Sequence, residues 1–271
     1  MARELRRRKI VRGRNIQNNS EMCSNSGMHS PLFGHCGGHH ATGEGTTLDI
    51  PTLKEGGVKL FAWIAYWKLL RTKPFRYRAL FREINAHKPR RLVEIGVFNG
   101  HHAAQMIQTA ALHHPMEKVE YYGFDLFEDL TPELLDYEKS KQPPTRAQVQ
   151  AMLERSGARI SLIKGNTRET LPAQASALGV VDFIFVDGGH SVETIQSDWE
   201  HIQPLIGPHT VVIFDDFYEN KAQDVEGSGC QGILGALDPA KWQVEVLEPA
   251  DRFLKEWGTL VVKFARVRRR A

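Results

Sequence analysis

The sequence predicts an α/β domain in which helices cover both faces of a mainly parallel, doubly wound sheet of seven strands. From residue 91 onwards, short runs of β-branched and aromatic residues alternate with segments whose apolar residues recur at helical spacing. Such alternation is typical of βαβ units, which build parallel sheets. The 271 residues are 41% hydrophobic and 25% charged. These values are close to globular averages and exclude collagen-like, coiled-coil and wholly disordered chains.

Apolar periodicity places the elements along the chain. Strands are predicted at residues 92–95, 119–124, 160–163, 181–186, 211–214, 242–247 and 260–264. Helices are predicted between most of them, at residues 101–112, 146–155, 169–178 and 192–202, and two more amphipathic stretches, 60–70 and 77–86, precede the first strand. No apolar run reaches the roughly 20 residues that cross a bilayer, so we expect no membrane span.

Residues 1–55 are predicted to form a disordered basic and polar tail. Residues 56–271 are predicted to form one domain that begins with a helical lid, residues 56–88. The tail is rich in Ser, Asn, Gly and His, and it lacks an apolar period that could offset its ordering entropy. It contains His35-Cys36-Gly37-Gly38-His39-His40, but this spacing fits no standard zinc pattern, so a flexible polar segment is favoured.

Positive charge is concentrated at the two ends of the chain. Residues 1–14 carry +6 and residues 266–271 carry +4, and subtracting both from the net +3 leaves residues 15–265 at −7. A nucleic-acid groove needs positive charge in the folded part, so we expect no stable nucleic-acid complex. The start lacks the apolar stretch of a secretory signal and the three cysteines cannot all pair internally, which predicts reduced thiols and a cytoplasmic protein. The sequence leaves open whether the chain forms a homo-oligomer.

The first predicted strand runs into Glu94-Ile95-Gly96-Val97-Phe98-Asn99-Gly100, here called the glycine loop. Gly96 allows a sharp turn and a close approach of the backbone to a ligand, and Gly100 lets the next helix pack closely. A carboxylate at Glu94 would repel a pyrophosphate but would favour a cofactor with a cationic centre and a free amino group. A tight turn with a solvated Glu94 is the structural alternative.

Polar side chains also follow the next four strands. Asp125 ends the second strand, where an acid typically accepts hydrogen bonds from ribose hydroxyls. Asn166 and Thr167 follow the third strand and suit an adenine edge or a ribose. Asp187 and Gly188 follow the fourth strand, and Asp215-Asp216 follow the fifth. Parallel strands present their carboxyl ends at one edge of the sheet, so we expect these groups to form one site.

The glycine loop, Asp125 and the acids at 187, 215 and 216 resemble the class I S-adenosylmethionine-dependent methyltransferases. The resemblance covers about residues 88–264 and is greatest for the metal-dependent O-methyltransferases, namely the catechol O-methyltransferase type and the macrolide-sugar O-methyltransferases related to cephalosporin hydroxylase-like proteins. It implies a Rossmann-like fold and S-adenosylmethionine as cofactor. Phe98 stands where the broad family often has a glycine, although an aromatic residue there is familiar in the catechol type. The predicted cofactor-binding residues are Glu94, Gly96, Phe98, Asn99, Gly100, Asp125, Leu126, Asn166, Thr167, Asp187 and Gly188.

Three carboxylates at adjacent strand ends predict a divalent cation. Asp187, Asp215 and Asp216 would repel one another in a partly desolvated site, and Mg²⁺ prefers oxygen ligands and keeps positions open for substrate. Bound there, Mg²⁺ would lower the pKa of an acceptor hydroxyl and orient it. The structural alternative is that Asp215 and Asp216 cap a helix while Asp187 begins a turn.

His190 and Asp187 are the predicted catalytic residues. His190 lies in the loop of Asp187 and titrates near neutral pH, which suits a general base. The catechol type has a lysine at the corresponding place, so binding the cofactor or orienting a ligand stay open as roles for His190.

The predicted reaction is methyl transfer to a hydroxyl of a small molecule or sugar. The insertion at 126–145 and the helices at 60–86 are predicted to cover the site, although Trp63 and Trp67 at helical spacing are more typical of a core. Two other functions compete with this one: an oxidoreductase that binds NAD(P) or a nucleotide sugar, and a non-catalytic protein that binds nucleic acid through its Arg-rich tails.

Overall fold

The computed structural model of the protein describes residues 51–138, 140–220 and 225–270. These residues belong to one compact unit. The predictions for the tail up to residue 50, including the segment 35–40, lie outside the described residues. A helix already begins at Pro51, ahead of the first predicted helix.

Seven strands form a single sheet in the order β3-β2-β1-β4-β5-β7-β6, which confirms the predicted architecture. Strands β1 to β5 pair in parallel, and β7 runs antiparallel to both β5 and β6. The last strands are longer than their apolar runs suggested, because β6 and β7 form a long hairpin whose far end is exposed. The strands are β1 Arg91–Ile95, β2 Glu120–Asp125, β3 Arg159–Lys164, β4 Val181–Val186, β5 Ile206–Tyr218, β6 Trp242–Lys255 and β7 Gly258–Arg269.

Helices precede the sheet and connect its strands. Two of them, α4 and α8, were not predicted, since six and five residues are too few to show a helical period. Within the described part of the chain, none of the helices combines the length and apolar character needed to cross a membrane. The helices are α1 Pro51–Leu69, α2 Tyr77–His87, α3 His101–Ala110, α4 Pro132–Tyr137, α5 Arg146–Glu154, α6 Thr167–Leu178, α7 Val192–Ile202 and α8 Gln231–Gly235.

The sheet carries one hydrophobic core on each face. Leu80 of α2 and Met106 of α3 are buried on one face, while Leu171 of α6 and Trp199 of α7 are buried on the other. The apolar stripes of the amphipathic helices therefore account for the doubly wound arrangement. In α1, Trp63 packs against the first core, as its helical spacing suggested, whereas Trp67 is 57% exposed.

The strand order reverses between β1 and β4. The chain leaves β1 towards α3 on one face of the sheet and leaves β4 towards α7 on the other. The two connections diverge and open a crevice at the carboxyl ends of these strands, where open α/β sheets bind their ligands.

Candidate active site

A cavity of about 370 Å³ lies in this crevice, outside the carboxyl ends of β1 to β4. The insertion between β2 and α5 forms one wall through Leu130, Leu134 and Tyr137, as predicted for a covering segment. Eight of the predicted cofactor-binding residues line the cavity: Gly96, Phe98, Asp125, Leu126, Asn166, Thr167, Asp187 and Gly188.

Steric crowding fixes the turn of the glycine loop. Gly96 has φ +86°, and a Cβ at this position would lie 2.0 Å from the carbonyl oxygen of Asp187. No other residue fits there without moving β4. Phe98 adopts φ +51°, an unusual conformation for a bulky side chain, and its half-exposed ring reaches the cavity.

Asp125 holds the glycine loop in this conformation. Its Oδ2 accepts hydrogen bonds from the backbone N–H groups of Val97 and Phe98, both at 2.8 Å, and its Oδ1 accepts one from Phe127 at 2.7 Å. Burial raises the pKa of Asp125, and these backbone donors partly offset the rise. Asp125 lines the cavity as predicted, and it also organises the loop backbone.

Three of the predicted cofactor-binding residues do not line the cavity. Glu94 is 1% exposed, and its carboxyl accepts a hydrogen bond from the Tyr121 hydroxyl inside the first core. Burial raises the pKa of Glu94 to about 8. Gly100 leaves room for α5, since a Cβ there would lie 2.7 Å from Cε of Met152. Asn99 accepts a hydrogen bond from the backbone N–H of His101 at 3.0 Å.

Asp198 is a cavity residue that the sequence analysis missed. It lies on α7, is 1% exposed, and neither of its carboxylate oxygens has a hydrogen-bond partner among the described residues. Burial raises its pKa to about 6, and the nearby Thr167 side chain offsets part of the rise. The signal was present in the sequence, because Asp198 falls on the apolar stripe of Ile195, Trp199 and Ile202. An acid on a buried helix stripe is unusual and indicates a ligand or partner.

The three predicted metal ligands lie at the rim of the sheet and are here called the acid cluster: Asp187, Asp215 and Asp216. Of these, only Asp187 lines the cavity. Its Oδ2 accepts a hydrogen bond from the Tyr77 hydroxyl at 2.8 Å. Burial, followed by the charges of Asp215 and Asp216, raises its pKa well above the ordinary range. Burial and the charge of Asp215 raise the pKa of Asp216 to about 6.

A β-bulge separates the two adjacent acids of β5. The register between β5 and β7 shifts between Phe214 and Phe217, and Asp216 has φ +58°. Bulges next to active sites redirect side chains. Asp215 is thereby paired with Arg76 and Asp216 with His190. No helix follows them directly, so the alternative interpretation as helix caps does not hold.

Arg76 and Tyr77 enter the site from the start of α2. The Arg76 guanidinium binds both carboxylate oxygens of Asp215, with Nε–Oδ1 at 2.8 Å and Nη2–Oδ2 at 2.7 Å. Tyr77 stacks on His102 with ring centroids 3.8 Å apart. No sequence pattern indicated these roles, because a lone Arg-Tyr pair at a helix start is ordinary on a protein surface.

His190 contacts the acid cluster but does not line the cavity. Its Nε2 lies 3.4 Å from Oδ2 of Asp216, and its Nδ1 is bonded to the carbonyl oxygen of Glu138. Burial lowers the pKa of His190, but the charge of Asp216 and the Glu138 carbonyl more than offset this, so that the pKa is raised. The Glu138 carboxylate also accepts hydrogen bonds from Ser191 and Thr194, which joins the insertion to the loop after β4.

Within the ranges that the structure describes, no three His, Cys, Asp or Glu side chains are grouped as a metal site requires. Both carboxylate oxygens of Asp215 accept hydrogen bonds from the guanidinium of Arg76, and one oxygen of Asp187 accepts a hydrogen bond from the Tyr77 hydroxyl. The donor set therefore does not fit Mg²⁺ as arranged here, and the prediction of magnesium is not confirmed.

Comparison with known proteins gives a family match and similar folds. Residues 93–217 match a family model described as a methyltransferase domain. The chain is similar to the crystal structure of an O-methyltransferase from Bacillus cereus in complex with SAH, at 17% identity and a TM-score of 0.50, over 82% of this chain and 93% of that one. It is also similar to the O-methyltransferase TomG from Streptomyces achromogenes in complex with SAM, at 14% identity and a TM-score of 0.49, over 79% and 89%. At such identities the likeness is one of fold. A search of curated proteins gave no significant match.

Proposed function

We propose that this chain, which is a class I S-adenosylmethionine-dependent methyltransferase, transfers the methyl group to a hydroxyl oxygen of a small molecule or sugar. One observation carries the proposal: Asp187 lines the cavity and also belongs to the acid cluster. A carboxylate able to accept a proton therefore stands beside the place where the cofactor would bind.

The cavity suits S-adenosylmethionine in size and chemistry. Its volume of about 370 Å³ lies within the range of small-molecule sites. The unpartnered oxygens of Asp198 require a donor, and an amino group or hydroxyl of a nucleoside would supply one. Asp125 and Asn166 add acceptors at neighbouring strand ends. When bound, S-adenosylmethionine supplies a methyl group activated by a sulfonium.

Asp187 is the residue that we assign to accept the proton of the acceptor hydroxyl. Its place in the cavity lining puts the carboxylate where an acceptor hydroxyl can donate to it. The Tyr77 hydroxyl fixes its orientation through Oδ2. His190 lies outside the cavity lining and faces Asp216, so we assign it to positioning the acid cluster rather than to proton transfer.

The surroundings of the site favour a small acceptor. The insertion that carries α4 walls one side of the cavity, which favours a small acceptor over a polymer there. The net charge of −7 over residues 15–265 disfavours nucleic acid as the substrate. We also propose a cytoplasmic location, which the buried free thiol of Cys230 supports.

Calorimetric titration with S-adenosylhomocysteine tests the cofactor. We expect it to bind the wild type, whereas NAD⁺ does not. Asp198→Asn should weaken binding by about 10-fold or more, since a hydrogen bond to a charged group contributes about 1.5–3 kcal/mol. Glu200→Gln makes the same isosteric change on the exposed face of α7 and should bind as the wild type does. Binding of NAD⁺ alone, or equal affinity in Asp198→Asn, would contradict the assignment.

Product analysis tests the acceptor chemistry. Phenols, sugars and glycosides are incubated with S-adenosylmethionine that carries a ¹³C-methyl group, and nuclear magnetic resonance identifies the atom that receives the label. We expect an O-methyl product, with turnover lost in Asp187→Asn while S-adenosylhomocysteine still binds. An N-methyl or C-methyl product would refute the proposal.

A further inference from the structure

The acid cluster requires a positive charge, and the structure contains one. Three carboxylates converge at the rim of the sheet, and Asp215 is only 3% exposed. Buried carboxylates this close repel one another strongly unless a cation lies among them. Arg76 supplies that charge through two short, parallel hydrogen bonds to Asp215, the arrangement in which a guanidinium binds a carboxylate most strongly.

Other groups hold the guanidinium of Arg76 in place. Its Nη1 donates to Oδ2 of Asp251 at 3.1 Å, and its backbone N–H donates to the same oxygen at 3.1 Å. The guanidinium carbon lies 5.0 Å from the ring centroid of Tyr77 and 5.6 Å from that of Phe264. The Arg76 side chain is only 14% exposed. Anchors on several sides make Arg76 part of the site rather than a passing surface contact.

We infer that Arg76 takes the place of a divalent cation in the acid cluster, so that this methyltransferase works without a bound metal ion. The inference rests on the proposed function. A metal ion that used Asp215 would have to break the bidentate pair and lie beside a group that does not lose its charge at physiological pH. Arg76 neutralises Asp215 and holds the rim in shape, and it leaves proton transfer to Asp187.

Metal binding can be measured without knowing the acceptor. Mn²⁺ and Mg²⁺ are titrated into the full chain by calorimetry, with and without S-adenosylhomocysteine, and melting temperatures are recorded in parallel. We expect no saturable binding by the wild type up to millimolar metal. Arg76→Ala should bind Mn²⁺ at least about tenfold more tightly than the wild type, because the competing cation is gone. Arg76→Lys keeps a positive charge and is the variant to measure if Arg76→Ala does not fold. We expect it to bind Mn²⁺ less tightly than Arg76→Ala, or as weakly as the wild type.

Arg266→Ala is the matched control, since Arg266 lies between Glu83 and Glu245 away from the cavity. It should bind metal no better than the wild type. A single Mg²⁺ or Mn²⁺ site in the wild type at micromolar affinity, or methyl transfer that EDTA abolishes and Mg²⁺ restores, would overturn the inference. If EDTA abolished turnover but left S-adenosylhomocysteine binding intact, the role of Arg76 would be refuted and the proposed function would stand. Absence of S-adenosylhomocysteine binding would instead overturn the proposed function.

Discussion

Replacing Asp125 by alanine removes the acceptor that shapes the glycine loop. The carboxylate accepts three backbone hydrogen bonds, from Val97, Phe98 and Phe127, and each such bond to a charged acceptor contributes about 1.5–3 kcal/mol before the loop relaxes. Water from the cavity can hydrate the N–H groups of Val97 and Phe98 once the carboxylate is gone. The loss of stability is therefore smaller than the sum of the three hydrogen bonds. We expect the free energy of unfolding to drop by about 2–4 kcal/mol.

Cofactor affinity should fall together with stability, because the same carboxylate borders the cavity. We expect S-adenosylhomocysteine to bind Asp125→Ala at least about tenfold more weakly, measured by calorimetry below the melting temperature of the variant. Asp125→Asn keeps one acceptor oxygen and should fall between the wild type and alanine in both measurements.

Asp182→Ala separates the loss of stability from the loss of binding. Asp182 also accepts two backbone hydrogen bonds, from Arg90 and Arg91 at 2.8 Å, but it lies near the start of β4, at the opposite edge of the sheet from the cavity. Its replacement should lower the melting temperature and leave S-adenosylhomocysteine affinity unchanged. If Asp125→Ala bound as tightly as Asp182→Ala, the reasoning that links the loop to the cofactor would be refuted.

Two further predictions concern the glycine loop. Phe98→Gly removes a bulky residue from a left-handed conformation, so the melting temperature of the variant should stay the same or rise. Its affinity for S-adenosylhomocysteine should fall, because the Phe98 ring lines the cavity. A large drop in stability would contradict the argument that Phe98 is strained. The pKa of Glu94 is raised to about 8 by burial, so the neutral carboxyl stabilises the fold fully below about pH 4.5, and this stability is lost as pH rises towards 8. The free energy of unfolding of the wild type and of Glu94→Gln is measured by denaturation between pH 5 and 9. We expect the wild type to lose stability relative to the amide variant as pH rises. Parallel pH profiles would refute the burial of an ionisable Glu94.

The alternation of strands and helices, and the polar groups that follow the strands, are predictable from the amino-acid sequence alone. Those features arise from local periodicity in the sequence, which is visible within a single strand or helix. All seven strands, the longer helices between them and the cavity at the carboxyl edge follow from it. The placement of Asp125 at the end of β2 and of Asp187 at the end of β4 needed no further information.

Which side chains contact one another depends on the folded arrangement. Arg76 reaches Asp215 across 139 residues of chain, and Glu94 turns to Tyr121 in the core instead of facing the cavity. The bulge in β5 separates two acids that the sequence presents as a pair. Such outcomes depend on strand order and on which face of the sheet each helix covers, and they are set by packing between distant segments rather than by any local pattern. For that reason the sequence indicated an acidic rim in need of a positive charge, and only the fold identified Arg76 as its source.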